Sequence, residues 1–111
     1  MLTVDDNQNI SITRGDTLTL LVEPYKDGEL YIPQESDTLR FAVSIGYVGR
    51  KGYKLIETID IPTDTMTFTM TSEQTQDLIF SQYNYDVELT YADGTVDTFI
   101  SAKLNVLKEV E

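Results

Sequence analysis

The chain has 111 residues, of which 41% are apolar, a composition typical of folded globular chains and a length at which one domain buries roughly two thirds of its unfolded surface. Its 19 acidic and 8 basic residues give a formal net charge of -11, a field that repels phosphate backbones and anionic surfaces and so argues against nucleic acid or a membrane as partner. With neither Cys nor His in the chain, disulfides, thiolate metal sites, a Cys nucleophile and the commonest general base are all excluded.

Met1 to Asn9 is polar and acidic, without the apolar core of a signal peptide, and no apolar run is long enough to span a bilayer. Ile10 and Ile12 predict a short first strand, ended by Arg14-Gly15-Asp16. This tripeptide is one that some adhesion receptors bind, but it falls where a turn is needed, and Gly and Asp serve a turn directly. Leu18, Leu20 and Val22 alternate with polar residues until Pro24 removes a backbone donor and closes the strand. Tyr25 to Ser36 reads as a loop carrying Asp27-Gly28 and Pro33, with Leu30 and Ile32 offering a brief edge pairing.

Leu39, Phe41, Val43 and Ile45 recur at a spacing of two and predict a central strand buried on one face. Gly46 to Tyr53 is too rich in Gly for a strand and predicts an eight-residue hairpin loop. Leu55, Ile59 and Ile61 return antiparallel, with Ile56 on the other face and Pro62 as the stop. Met66, Phe68 and Met70 alternate strictly with Thr, whose β-branched side chain suits the solvated face of a strand. Ser72 is placed to cap a short helical turn, Ser72 to Leu78, that carries the chain over the end of a sandwich.

The stretch from Gln82 to Leu107 is the clearest signal. Tyr83, Tyr85, Val87, Leu89 and Tyr91 alternate with polar residues, and after Ala92-Asp93-Gly94 the apolar face resumes with Val96, Ile100, Ala102, Leu104 and Val106. An Asp-Gly pair between two alternating runs predicts a hairpin with a tight primed turn, because that turn needs positive φ. Tyr83 and Tyr85 also fit the corner tyrosine and the buried position two residues on that mark immunoglobulin-like sandwiches, although there is no Trp and no Cys pair. The expected fold is therefore all-β: an immunoglobulin-like antiparallel β-sandwich of about seven strands, in a single domain spanning residues 1–111.

Residues able to carry chemistry are sparse. Carboxylate pairs such as Asp5 with Asp6, Asp27 with Glu29 and Asp93 with Asp97 lie in polar turns or at solvated strand positions, where neither member is desolvated as a general acid must be. No Asp-x-Asp-x-Asp-Gly spacing marks a calcium loop, and no Ser or Thr has an activating His. The expectation is a protein that is not an enzyme and needs no cofactor or metal. One loop stands out: Arg50, Lys51 and Lys54 place three of the 8 basic residues within five positions, beside Tyr47 and Tyr53. Aromatic and Arg side chains anchor protein interfaces, so these five residues form the candidate interface. The competing reading is a hairpin tip whose lysines only keep it soluble.

Four segments resemble small immunoglobulin-like domains of phage and prophage structural proteins from Gram-positive hosts, notably the N-terminal domain of baseplate upper proteins. They are Ile12 to Thr17, Asp37 to Val43, Tyr83 to Leu89 and Ala92 to Val96, within a similarity running from about Ile12 to Val106. Gln82 stands where that family usually has Gly before the tyrosine pair. The resemblance implies a non-enzymatic virion part, made in the bacterial cytoplasm, that docks on other tail or baseplate proteins or on copies of itself. A second expectation, from a different class, is an extracellular adhesin or carbohydrate-binding module in which Tyr25, Tyr31, Tyr47 and Tyr53 stack on glycans.

Overall fold

The computed structural model describes residues 2–47, 49–79 and 81–108. Among the described residues, ten strands and one short helix follow in the order β1 (Leu2–Val4), β2 (Ile10–Thr13), β3 (Leu18–Leu21), β4 (Tyr25–Lys26), β5 (Glu29–Leu30), β6 (Thr38–Ile45), β7 (Lys54–Ile61), β8 (Thr67–Met70), α1 (Ser72–Gln76), β9 (Gln82–Thr90) and β10 (Val96–Leu107). A six-stranded sheet has the order β1-β2-β10-β9-β6-β7, β3 pairs with β8 in a second sheet, and β4 with β5 forms a separate small hairpin. The molecule is an all-β sandwich with unequal layers. One pair departs from the antiparallel expectation: β2 and β10 run parallel, with Ile10 opposite Leu104 and Ile12 opposite Val106.

The alternation seen in the sequence builds the core. Tyr83, Tyr85, Val87 and Leu89 of β9, Leu39, Phe41 and Val43 of β6, Leu104 and Val106 of β10 and Ile10 and Ile12 of β2 are buried together. They meet Leu18, Val22, Phe68 and Met70 from the β3–β8 side. Phe41 and Phe68 stack at 4.4 Å between ring centroids, and Tyr85 lies 5.4 Å from Phe41, so aromatic contact joins the two layers at their centre.

Two bulges move side chains off the faces that simple alternation assigns. Between β6 and β7 the register shifts at Val43/Ser44, which leaves Leu55 opposite Ser44 and exposed while Ile56 packs against the core. Between β9 and β10 it shifts between Thr98 and Ile100, so Val96 faces out opposite Thr90. A one-residue insertion reverses the parity of everything beyond it. The expected faces of Leu55, Ile56 and Val96 are corrected accordingly.

The turns also sort differently from their sequence signals. Asp27 and Gly28 both have positive φ, 54° and 82°, and form the two-residue primed turn between β4 and β5. At Ala92-Asp93-Gly94 only Gly94 is left-handed. Tyr91 N–H donates to Thr95 O at 2.8 Å and Gly94 N–H to Tyr91 O at 2.9 Å, a three-residue loop ending in a left-handed Gly rather than a primed pair. The helix begins one residue earlier than expected. Thr71, not Ser72, is the cap: its hydroxyl accepts from Gln74 N–H at 3.2 Å while the Gln74 carboxamide accepts from Thr71 N–H at 2.8 Å.

Ser72 and Thr75 are thereby aimed at the Arg14-Gly15-Asp16 turn. Ser72 donates to Gly15 O at 2.6 Å, and buried Thr75 donates to Asp16 O at 2.7 Å while accepting from Gly15 N–H at 3.1 Å. The tripeptide is held by its own backbone as a structural turn. Leu2–Val4, which lay in a stretch read only as polar and acidic, forms an edge strand on β2. Its turn is closed by Asp5, whose carboxylate accepts from the backbone of Asn7 and Asn9.

Candidate docking surfaces

The outer face of the six-stranded sheet carries the loop that the sequence singles out. Gly46, Gly49 and Gly52 all have positive φ, and a Cβ on Gly46 would stand 3.0 Å from Gly52 O and 3.1 Å from Tyr53 Cα. The loop's two ends therefore approach so closely that only Gly fits at position 46. Arg50 N–H donates to Tyr47 O at 3.0 Å and Tyr53 N–H to Arg50 O at 3.2 Å, turning the chain back on itself. Val48 lies outside the described residues.

This geometry divides the candidate interface. Arg50, Lys51 and Lys54 are exposed on and beside the tip, and the ion pair formed among the described residues, Arg40 with Glu88 at 3.3 Å, lies elsewhere on the sheet. Tyr47 and Tyr53 instead flank a cleft of about 220 Å³ over the sheet, floored by Ser44, Asn84, Asp86, Ser101 and Lys103. Those five had no role in the sequence reading. The available signal was register: Lys103 lies opposite Asn84, Ser101 opposite Asp86 and Ser44 opposite Asn84, which brings the polar positions of three strands together.

Asn84 ties the loop to the sheet, donating from Nδ2 to Gly46 O at 2.7 Å while Oδ1 accepts from Lys103 Nζ. The Lys103 ammonium also lies 5.8 Å from the centroid of the Tyr47 ring. Asp86 Oδ1 is buried and accepts from no protein group. Burial, followed by the neighbouring Glu88 carboxylate, raises the Asp86 carboxyl above the ordinary range, and Arg40 partly offsets this.

The four tyrosines named for glycan stacking do not act together. Tyr31 packs edge-on against Tyr91 at 5.8 Å and donates to the buried Asp37 carboxylate at 2.6 Å. That bond is the main reason its phenol is pushed up to about 12. Tyr25 is exposed on the β4–β5 hairpin. Only Tyr47 and Tyr53 share a site. Of the carboxylates considered as catalytic pairs, Asp5 and Asp93 serve turns, Asp93 accepting from Thr95 N–H at 2.9 Å, and backbone donors lower both; Glu29 and Asp97 lie in strands β5 and β10. Among the described residues, no group of three or more Asp or Glu is placed to hold a metal ion.

A second surface follows from the unequal layers. β3 pairs with β8 on one side, and among the described residues no strand pairs with its other side. The gap between that free edge and the six-stranded sheet is a groove of about 450 Å³ lined by Gln8, Leu21, Glu23, Tyr25, Phe99 and Ile100. It shares Gln8, Leu21 and Ile100 with a more apolar recess of about 250 Å³ that reaches Val4, Ile10 and Val22. Leu21 is 61% exposed here, although it sits within a strand. The chain matches no protein-family model, and no similar curated protein was found.

Proposed function

We propose that this chain is a non-enzymatic assembly module that docks on other proteins by accepting an extended segment at the free edge of β3. The observation that carries the reading is the edge itself. An unpaired strand presents a row of backbone donors and acceptors, and proteins that do not use such an edge normally cover or charge it. Here it is flanked by exposed Leu21 and Tyr25 and by a groove of mixed polar and apolar lining that adjoins the more apolar recess reaching Ile10 and Val22. An added strand would pair with the edge and send alternate side chains into the groove, which is the physics of β-strand addition.

The resemblance to phage and prophage structural domains makes a tail or baseplate protein the proposed setting, and the virion the proposed location. The connectivity supports the immunoglobulin-like part of that resemblance: the sheet containing β6, β9 and β10 faces one containing β3 and β8, the arrangement of the C-F-G and B-E strands in immunoglobulin-type sandwiches. The basic tip at Arg50, Lys51 and Lys54 is a second contact of the same kind, suited to acidic surface on a neighbouring protein or another copy.

The test is association measured by size-exclusion chromatography with light scattering, for the chain alone and mixed with products of neighbouring genes. A complex that is lost on Leu21→Lys, which puts a charge into the groove, is the expected result. A complex unaffected by Leu21→Lys but abolished by Arg50→Glu with Lys51→Glu would move the docking surface to the loop.

A further inference from the structure

The cleft beneath the Gly46–Tyr53 loop is built differently from a protein-docking surface. It is small and concave, and it joins exposed aromatic rings to polar groups held in place by the sheet. We infer that it is a binding site for a neutral saccharide, with Tyr47 and Tyr53 as its aromatic walls and Ser44, Asn84, Asp86 and Lys103 as its polar floor. This inference is independent of docking at β3, since the cleft lies on the opposite face of the sheet from the core that β3 covers.

Size comes first. A cleft of about 220 Å³ falls below the roughly 300–1,000 Å³ of sites for drug-sized ligands, which limits the occupant to a molecule of about one small ring. Charge then narrows the chemistry. Asp86 and Glu88 lie on the same strand face in a chain of net charge -11, which disfavours an anion. Lys103 already places an ammonium in the cleft, between Asn84 Oδ1 and the Tyr47 ring, which disfavours a second cation. What remains is a neutral molecule offering both hydroxyl donors and acceptors.

The fit at the floor is specific. Asp86 lines the cleft with a carboxylate whose buried Oδ1 has no protein donor; turning that carboxylate toward the cleft would let a sugar hydroxyl donate to it and relieve the cost of the unmade bond. Ser44, buried at 7% exposure and opposite Asn84 on β6, and Ser101, opposite Asp86 on β10, add hydroxyls to the lining. Tyr47, 70% exposed, and Tyr53, 38% exposed, present ring surface beside the cleft for the apolar C–H face of a sugar. The loop is pre-organised by the Asn84–Gly46 hydrogen bond and by the close approach of Gly46 to Gly52, so little ordering is left for the ligand to impose.

The experiment is a two-dimensional amide NMR titration of the folded chain with glucose, galactose and N-acetylglucosamine, with propylamine and acetate as charged comparisons. The expected result is saturable millimolar binding of at least one sugar, with shifts concentrated at Ser44, Asn84, Asp86 and Lys103. Tyr47→Ala and Asp86→Ala should each weaken it by about tenfold, the loss of one aromatic or charge-assisted contact. Leu21→Lys should leave it unchanged, which separates this site from the β3 edge. Tyr47 is exposed, so its variant tests the site even if Asp86→Ala fails to fold. No sugar shifting the cleft amides, tighter binding of either charged probe, or sugar binding indifferent to Tyr47→Ala would each overturn the inference.

Discussion

Replacing Thr75 by Val tests whether α1 acts as a latch on the Arg14-Gly15-Asp16 turn. The substitution keeps the side chain's shape but removes a hydroxyl that donates to Asp16 O at 2.7 Å and accepts from Gly15 N–H at 3.1 Å. Each such bond contributes about 0.5–1.5 kcal/mol net, so the expected loss is about 2 kcal/mol. Thr75 is fully buried but Asp16 is exposed, so water can replace one partner and keep the loss from growing further. Thr75→Ser retains both bonds and loses one buried methyl, about 1 kcal/mol. Urea denaturation with an unchanged m-value should place Val below Ser and both below the parent. The melting temperature of Thr75→Val should fall by roughly 8 °C. A Val variant as stable as the Ser variant would show that the turn stands without the latch.

Three further outcomes follow from the same geometry. Phe41→Ala removes the ring that joins the two layers and should cost about 3–5 kcal/mol, a large part of a domain's total stability, read as a loss of cooperative unfolding or a much lower urea midpoint. Gly46→Ala combines a φ of 76° with a 3.0 Å contact to Gly52 O and should destabilise by about 1–2 kcal/mol; Gly49→Ala, whose Cβ meets nothing within 4 Å, should cost less. Asp86→Asn tests the buried carboxylate through pH. Because folding raises this carboxyl above its usual value of 3.8, its contribution to stability is intact below the unfolded value and is lost as pH rises through the folded one. The Asn variant should therefore be more stable than the parent at neutral pH, with the difference fading in acid; a variant less stable at neutral pH would contradict the cause assigned to the shift.

The extent to which the sequence foretells this structure depends on the reach of each signal. The alternation of Tyr83 to Leu89 is local, and burial follows it residue by residue; along β6 it does so from Thr38 to Phe41, beyond which Ala42 and Ser44 on the other face are buried as well. The eight-residue loop from Gly46 to Tyr53 is likewise bounded by the strands its Gly content predicts. Bulges are not local. Nothing in Thr98-Phe99-Ile100 says that β9 will pair with one residue fewer, and that extra residue sends Val96 outward. The parallel pairing of β2 with β10 joins opposite ends of the chain, and no periodicity encodes partner choice at that separation. Asp-Gly appears twice, yet only Asp27-Gly28 takes the primed turn; at Asp93 the carboxylate accepts from Thr95 N–H, and only Gly94 is left-handed. Thr71 and Ser72 are both capable caps, and Gln74, three residues after Thr71, completes the reciprocal pair that favours the earlier start.

The candidate site was half legible for a related reason. Tyr47, Arg50, Lys51, Tyr53 and Lys54 stand out because they cluster along the chain. Ser44, Asn84, Asp86, Ser101 and Lys103 cluster only across strands, and each alone reads as an ordinary polar position on a solvated face.

The docking proposal is tested most directly by amide hydrogen exchange on β3, with the chain alone and in complex with the product of a neighbouring gene. Strand addition predicts that the β3 backbone amides pointing away from β8 gain protection in the complex and that Leu21→Lys abolishes the gain. A stable complex in which those amides exchange as they do in the free chain would contradict it.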